Sequence, residues 1–370
     1  MTETIPGREA LARLLESLLA MPDMTVYAPV AECDGAAFGR IGSASDALLD
    51  HPGVVRPPRQ VLTPMTETLL SMEPGGRAEE RVPAPGPTVL FGARPCDARA
   101  ISFLDRVYAG GDRIDPYYAA RRKALTIVSL GCREPRATCF CTSTGGGPLS
   151  TEGSDILLEP SGDGWTVRVA SVEGGRLADA LGLGASGEEH GARDTGRNID
   201  GQDGEDVGRE GASGEGRSAS GEGKANTDSV GIAPHAGEPR DLAALRERLE
   251  EAFDDPSWEA LTAKCLGCGA CTFLCPSCHC FDIVDGEEDG RVVRSRIWDS
   301  CQFTTFTRQA SGHDPRPTGA DRYRHRLMHK FSYCIESYGM PGCTGCGRCV
   351  EACPVNLDIR LLLDAFGGGK

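Results

Sequence analysis

Apolar positions recur at helical intervals in GREALARLLESLLA (7–20), which predicts an amphipathic helix leading into the strand-like TVYAPV (25–30). TVLFGA (88–93) and ALTIVSL (124–130) are short β-rich apolar runs. Between them, Ala98, Ile101, Leu104 and Tyr108 share one face of a helix over 97–108. Strand, helix, strand is the pattern of a parallel βαβ unit. ILLEPSGDGWTVRVAS (156–171) reads as a hairpin with Gly and Asp at its turn. Residues 1–182 therefore read as an α/β domain with a partly parallel sheet.

The pattern then stops. Residues 183–240 are Gly, Ser, Glu and Asp with almost no large apolar side chain, so they bury too little surface to offset their ordering entropy. The reading is a disordered acidic insertion, with an acidic docking tail as the functional alternative. DLAALRERLEEAF (241–253) resumes as a helix, and a cysteine-rich helical module runs over 241–370. The fold class expected is α+β.

Composition sharpens this picture. Hydrophobic residues are 39% and aromatics 6%, low for one compact fold of 370 residues. A formal charge of −15 argues against a nucleic-acid binder, because phosphate backbones reward basic surfaces. The N-terminus opens acidic and lacks the single apolar run of a signal peptide. No stretch reaches the roughly 18 apolar residues of a membrane helix. The expectation is a cytoplasmic protein without membrane insertion. Disulfides are disfavoured there, so 17 cysteines point to metal.

The cysteine spacing makes that specific. Cys265, Cys268, Cys271 and Cys275 precede Pro276; Cys343, Cys346, Cys349 and Cys353 precede Pro354. Both follow C-x2-C-x2-C-x3-C-P, the bacterial run for [4Fe–4S] binding, whose fourth cysteine serves the other cluster in two-cluster folds. Cys265, Cys268, Cys271 and Cys353 are thus expected to hold one cube, and Cys343, Cys346, Cys349 and Cys275 the other. Gly267, Gly269, Gly345 and Gly347 let the backbone bend close to the sulfides. Zinc sites use pairs of C-x2-C and four ligands in all, a poorer match to two complete runs. The long insert between the runs (276–342) is expected to fold outside a pseudo-two-fold pair of halves.

Seven further cysteines exceed what two cubes need. Cys278 and Cys280 follow the first run, and Cys301 lies in the insert. Cys96 and Cys132 fall just past expected strands, where open α/β sheets gather ligands, with Cys139 and Cys141 on the loop beyond. Either several of the seven form a third iron–sulfur or other metal site at the domain junction, or they are buried thiols acting as small hydrophobes. Cys33 and Cys334 read as packing residues. The basic stretch 316–331 (Arg316, Arg322, Arg324, Arg326, His329, Lys330) reads as a docking face, as cations beside reduced clusters, or as a solvated helix. His279 and His313 read as packed or hydrogen-bonded histidines before ligands. No G-x-G-x-x-G follows a strand and no P-loop occurs, so a flavin stays open but without a motif.

FGARPCDARAI, GCREPRATCFCTSTGGGP, CLGCGACTFLCPSCHCFD, WDSCQF, SGHDPRPTGADRYRHRLMHKF and GCTGCGRCVEACPVNLDI occur in this order. With them the chain resembles two kinds of iron–sulfur subunit, that of anaerobic sulfite reductase and the beta subunit of cytoplasmic sulfur-reducing hydrogenases. The resemblance spans nearly everything except 183–240, which looks like an insertion peculiar to this chain. It implies electron relay between a flavin subunit meeting NAD(P)H, or a ferredoxin, and a catalytic partner: a siroheme sulfite reductase, a nickel–iron hydrogenase or a related enzyme. The chain has no flavin-subunit or siroheme signature of its own. Two other readings compete. In one the chain is itself a flavin- or cluster-dependent reductase of a small sulfur compound; in the other it is an assembly protein whose clusters never cycle.

Overall fold

A computed structural model describes residues 4–33, 35–51, 53–183 and 237–367. The insertion expected at 183–240 lies almost wholly outside the described residues. The strands are β1 (Thr4–Pro6), β2 (Thr25–Glu32), β3 (Gly35–Arg40), β4 (Thr66–Met72), β5 (Ala78–Glu80), β6 (Thr88–Ala93), β7 (Leu125–Leu130), β8 (Ile156–Ser161), β9 (Gly164–Val169), β10 (Phe281–Glu288) and β11 (Arg291–Trp298). Seven form one sheet in the order β1-β9-β8-β7-β6-β2-β3. Its centre, β2-β6-β7-β8, is parallel and its margins are antiparallel. The expected βαβ unit is there, with the helix Pro95–Ala109 joining β6 to β7. A second helix, Pro116–Ala124, was not legible in the pattern.

Both faces of the sheet are covered, which explains why β6 is buried at every position rather than alternating. Val89, Phe91, Val128 and Leu130 pack under the helices Gly7–Leu19 and Val172–Ala180. Leu90 and Ile127 point the other way, toward Ile101, Leu104 and Tyr118, and onward to Cys334 and Met340 of the C-terminal region. A third core joins Leu245, Leu249, Trp258, Phe331, Leu362 and Phe366 to Phe140. Trp258 and Phe366 stack there at 4.1 Å between ring centroids.

The insert between the cysteine runs does not fold outside. Its hairpin β10–β11 pairs through β11 with β4, giving a four-stranded sheet β10-β11-β4-β5 built from both ends of the chain. Asp289 (φ 50°) and Gly290 (φ 76°) turn this hairpin, the Asp-Gly signal of a two-residue loop. The rest of the insert supplies the helix Gly319–Met328, a wider π turn His329–Tyr333 and the helix Cys334–Tyr338. Tyr323, Leu327, Met328 and Phe331 of this segment are core residues. The helical part of the insert is buried because its apolar stripe packs into this third core, while β10 stays largely exposed.

A buried ion pair ties the sheet to the second cysteine run. Arg348 donates to both oxygens of Asp97 at 2.6 and 3.0 Å, with side chains 2% and 0% exposed, and to Val54 O at 2.8 Å. Asp97 lies in the first turn of the helix after β6, where its carboxylate also accepts the Arg94 N–H. Among the described residues, no helix is long and apolar enough to cross a membrane. Replacing Asp97 by Ala leaves the guanidinium buried and uncompensated, and is expected to cost about 3–5 kcal/mol. Urea unfolding of the full chain reads this as a lowered midpoint; an unchanged midpoint would mean the pair does not hold the two regions together.

Candidate iron–sulfur centres

The two runs fold alike. Gly269 and Gly347 share φ 75° and ψ −8°, each opening a four-residue helix, Ala270–Phe273 and Arg348–Glu351. Gly267 and Gly345 share the left-handed region at φ 65° and 63°. At Gly345 the reason is visible: a Cβ would sit 2.4 Å from Phe140 O, and at Gly347 one would sit 2.4 Å from Thr138 O. The loop carrying Cys139 and Cys141 lies against the backbone of the second run, and Phe140 N–H donates to Gly345 O at 2.8 Å.

All 17 cysteines are free. Among the described residues no three of His, Cys, Asp and Glu converge tightly enough for a single metal ion. The thiols stand instead around open volumes, as the ligands of a multi-iron cube must. Cys265, Cys268, Cys271 and Cys353 line one cavity, with Cys349, Gln302 and Tyr323 also in its wall. The Leu357 N–H donates to Cys353 Sγ at 3.2 Å. Cys275 leaves its own run and lies near Cys343, Cys346 and Cys349; all are buried but Cys349, which is half-buried. Burial raises the Cys343, Cys346 and Cys349 thiols, Cys346 to about 11, and the neighbouring Cys275 adds to this. The donor set and the crossed arrangement fit two cubes.

The seven surplus cysteines do not form one site; the structure divides them into two. Cys96 neighbours Cys132 and Cys346, Cys132 neighbours Cys139, and Cys141 neighbours both Cys132 and Cys139. Burial raises the Cys96 and Cys132 thiols, and raises Cys141 to about 12. These four sit at the carboxyl ends of β6 and β7 and on the loop after β7. Cys278, Cys280 and Cys301 line a different cavity, beside Cys275. The first group meets the second centre at Cys346 and the other meets it at Cys275. Cys334 packs as expected, whereas Cys33 is exposed, because its short turn between β2 and β3 offers nothing to cover it.

The basic stretch is neither a docking face nor a solvated helix at its key positions. Arg322, Arg326 and Lys330 are buried. Lys330, in the π turn, donates to Gly342 O at 2.6 Å and to Cys275 Sγ at 3.3 Å. π turns mark functional sites in many helices, and here the turn aims an ammonium at a thiol. Burial alone would lower Lys330, yet the Cys275 and Cys278 thiols hold it well above its ordinary value. Arg326 donates to Cys271 O at 3.1 Å and lies near Cys271, Cys349 and Cys278, one thiol from each of three groups. Arg59, which the pattern does not single out, is buried against the Trp298 ring at 3.5 Å and donates to Cys278 O. His279 packs against Phe103 and His329. Burial lowers His279 and His325 to about 4 and His329 to about 3, so these rings are neutral at pH 7. His313 is exposed.

The 4Fe-4S dicluster domain family matches residues 264–357, which contain both runs and the insert. The Sulfhydrogenase 2 subunit beta of Pyrococcus furiosus is 32% identical over 345 residues, covering 93% of this chain and 92% of that protein. The chain belongs to the sulfhydrogenase beta-subunit family. It is an iron–sulfur electron-transfer subunit with a 4Fe-4S dicluster domain. No solved structure matches the chain. The family assignment agrees with the motif order read from the sequence.

Within this family member, Gly345 sets how closely the 136–141 loop approaches the second run. Gly345→Ala forces a left-handed non-glycine residue, about 1–3 kcal/mol of strain, and adds the clash with Phe140 O. Gly312→Ala is the control, since Gly312 has φ 84° with open space around it. Urea midpoints are expected to fall further for Gly345→Ala than for Gly312→Ala; equal losses would show that φ alone, not the loop's approach, sets the cost.

Proposed function

We propose that this chain relays single electrons inside a cytoplasmic hydrogenase- or sulfite/sulfur-reductase-type complex. Electrons enter from a flavin subunit oxidising NAD(P)H, or from a ferredoxin, and leave to a catalytic subunit that this chain does not contain. The observation that carries the reading is the crossed pair of cysteine runs set around buried cations. Cys265, Cys268, Cys271 and Cys353 hold one cube and Cys343, Cys346, Cys349 and Cys275 the other. A third centre falls to Cys96, Cys132, Cys139 and Cys141, a complete four-thiol set beside Cys346. When bound, each cluster supplies one-electron chemistry at a potential within about −700 to +450 mV.

The chain's own residues tune that chemistry. Lys330 places a positive charge 3.3 Å from Cys275 Sγ, which favours the reduced, more negative state of the centre that Cys275 serves. The Leu357 N–H on Cys353 Sγ acts in the same direction on the other centre. Tyr323, 4% exposed, and the buried Gln302 keep water from the first cavity. No nucleic-acid partner fits the charge of −15. A flavin bound by this chain itself has no dinucleotide motif behind it.

Full-length chain loaded anaerobically with iron and sulfide is expected to show at least two reducible cluster signals in redox-titrated paramagnetic resonance. A chain with no reducible signal sinks the relay reading. Lys330→Gln should lower the potential of the Cys275 centre by roughly 100 mV, the Coulomb energy of one charge ~7 Å away at an effective dielectric of about 20. An unchanged potential would place Lys330 outside the relay.

A further inference from the structure

Cys278, Cys280 and Cys301 remain once the eight run cysteines and the four-thiol set are assigned. They line a cavity of their own, as Cys265, Cys268, Cys271 and Cys353 line theirs. Cys280 neighbours Cys301, and Cys278 neighbours Cys275. The trio is therefore gathered by separate segments of chain, and it abuts the second centre.

A second, independent feature points to a ligand. Arg326 is 2% exposed and lines this cavity, yet its Nε and Nη1 meet no hydrogen-bond acceptor. Lys330, 5% exposed, is a second cation in the same wall. No carboxylate lines the cavity among the described residues. A buried guanidinium with unanswered N–H groups and no anionic side chain calls for an anion in the space it faces. Three thiols in that same space choose the kind of anion: soft thiolates select iron–sulfur clusters over hard cations.

We propose that Cys278, Cys280 and Cys301 hold a further [4Fe–4S] cluster, separate from the Cys96 set, with Arg326 and Lys330 as its counter-charge. The inference rests on the dicluster reading above. The fourth corner of the cube falls to the same wall, which also carries Cys334 and His329. An electron this cluster accepts is one the Cys275 centre gives up, so the second cysteine run becomes a branch point. One arm leads to the Cys96 set at the sheet and the other to the trio beside the insert.

The test counts iron and labile sulfide in the full chain after anaerobic reconstitution. Cys278→Ser/Cys280→Ser/Cys301→Ser is expected to lose about four irons from the wild-type value while keeping at least the dicluster's eight or so, and to lose one reducible signal. The variant Cys96→Ser/Cys132→Ser/Cys139→Ser/Cys141→Ser reads the same site by difference, and serves where the first variant fails to fold. It should keep about twelve irons with the trio loaded and about eight without. Wild-type iron content in the trio variant, or about eight irons in the second variant or in the wild type, overturns the proposal. A wild type well below about eight irons overturns instead the dicluster reading beneath it.

Discussion

Positive charge buried among thiols is the constraint around which this molecule is arranged. Arg326, Lys330, Arg348 and Arg59 are all at most 5% exposed, and of these only Arg348 meets a carboxylate. Burying a charge is tolerated only when an opposite charge or a full set of hydrogen bonds answers it. Here backbone carbonyls answer part of the charge of Arg59, Arg326 and Lys330, and the cysteine sulfurs stand around the rest. In the proposed reading the clusters complete that answer, which couples metal loading to folding.

The same constraint explains the insert. A small two-cluster fold could place its cations anywhere near the surface. This chain threads the helix 319–338 through the middle, so that one face supplies Leu327 and Phe331 to the core while another delivers Arg326 and Lys330 to the thiols. The hairpin before it docks on β4, and Arg59 reaches across to the carbonyl of Cys278. On the opposite side, the loop after β7 presses its backbone onto Gly345 and Gly347. The α/β sheet thereby becomes a wall of the redox region instead of an appendage, with Cys96 beside Cys346 and Cys278 beside Cys275.

Much of this was legible in the sequence. The spacing of the two runs, the βαβ unit and the 156–169 hairpin follow from local patterns that need no partner. The rest depends on pairing between distant segments. FDIVDGEEDGRVVRSRIW carries an Asp-Gly turn between alternating residues, a hairpin signal overshadowed by the cysteines beside it. Its pairing with residues 66–72 has no local signature at all. The division of the surplus thiols into two groups was equally hidden, since Cys96 and Cys278 look alike as residues and differ in their neighbours, Cys346 for one and Cys275 for the other. Arg326 and Lys330 were visible as part of a basic stretch, but burial, which decides their role, depends on the core that surrounds them.

The most direct measurement is hydrogen exchange along residues 319–338 of the full chain, compared before and after anaerobic chelation of its iron. If the clusters answer the buried cations, removing them strips protection from this helix while the strands β6 and β7 stay protected. Equal protection in the loaded and stripped chains would contradict the account, because the interior charges would then be satisfied without iron.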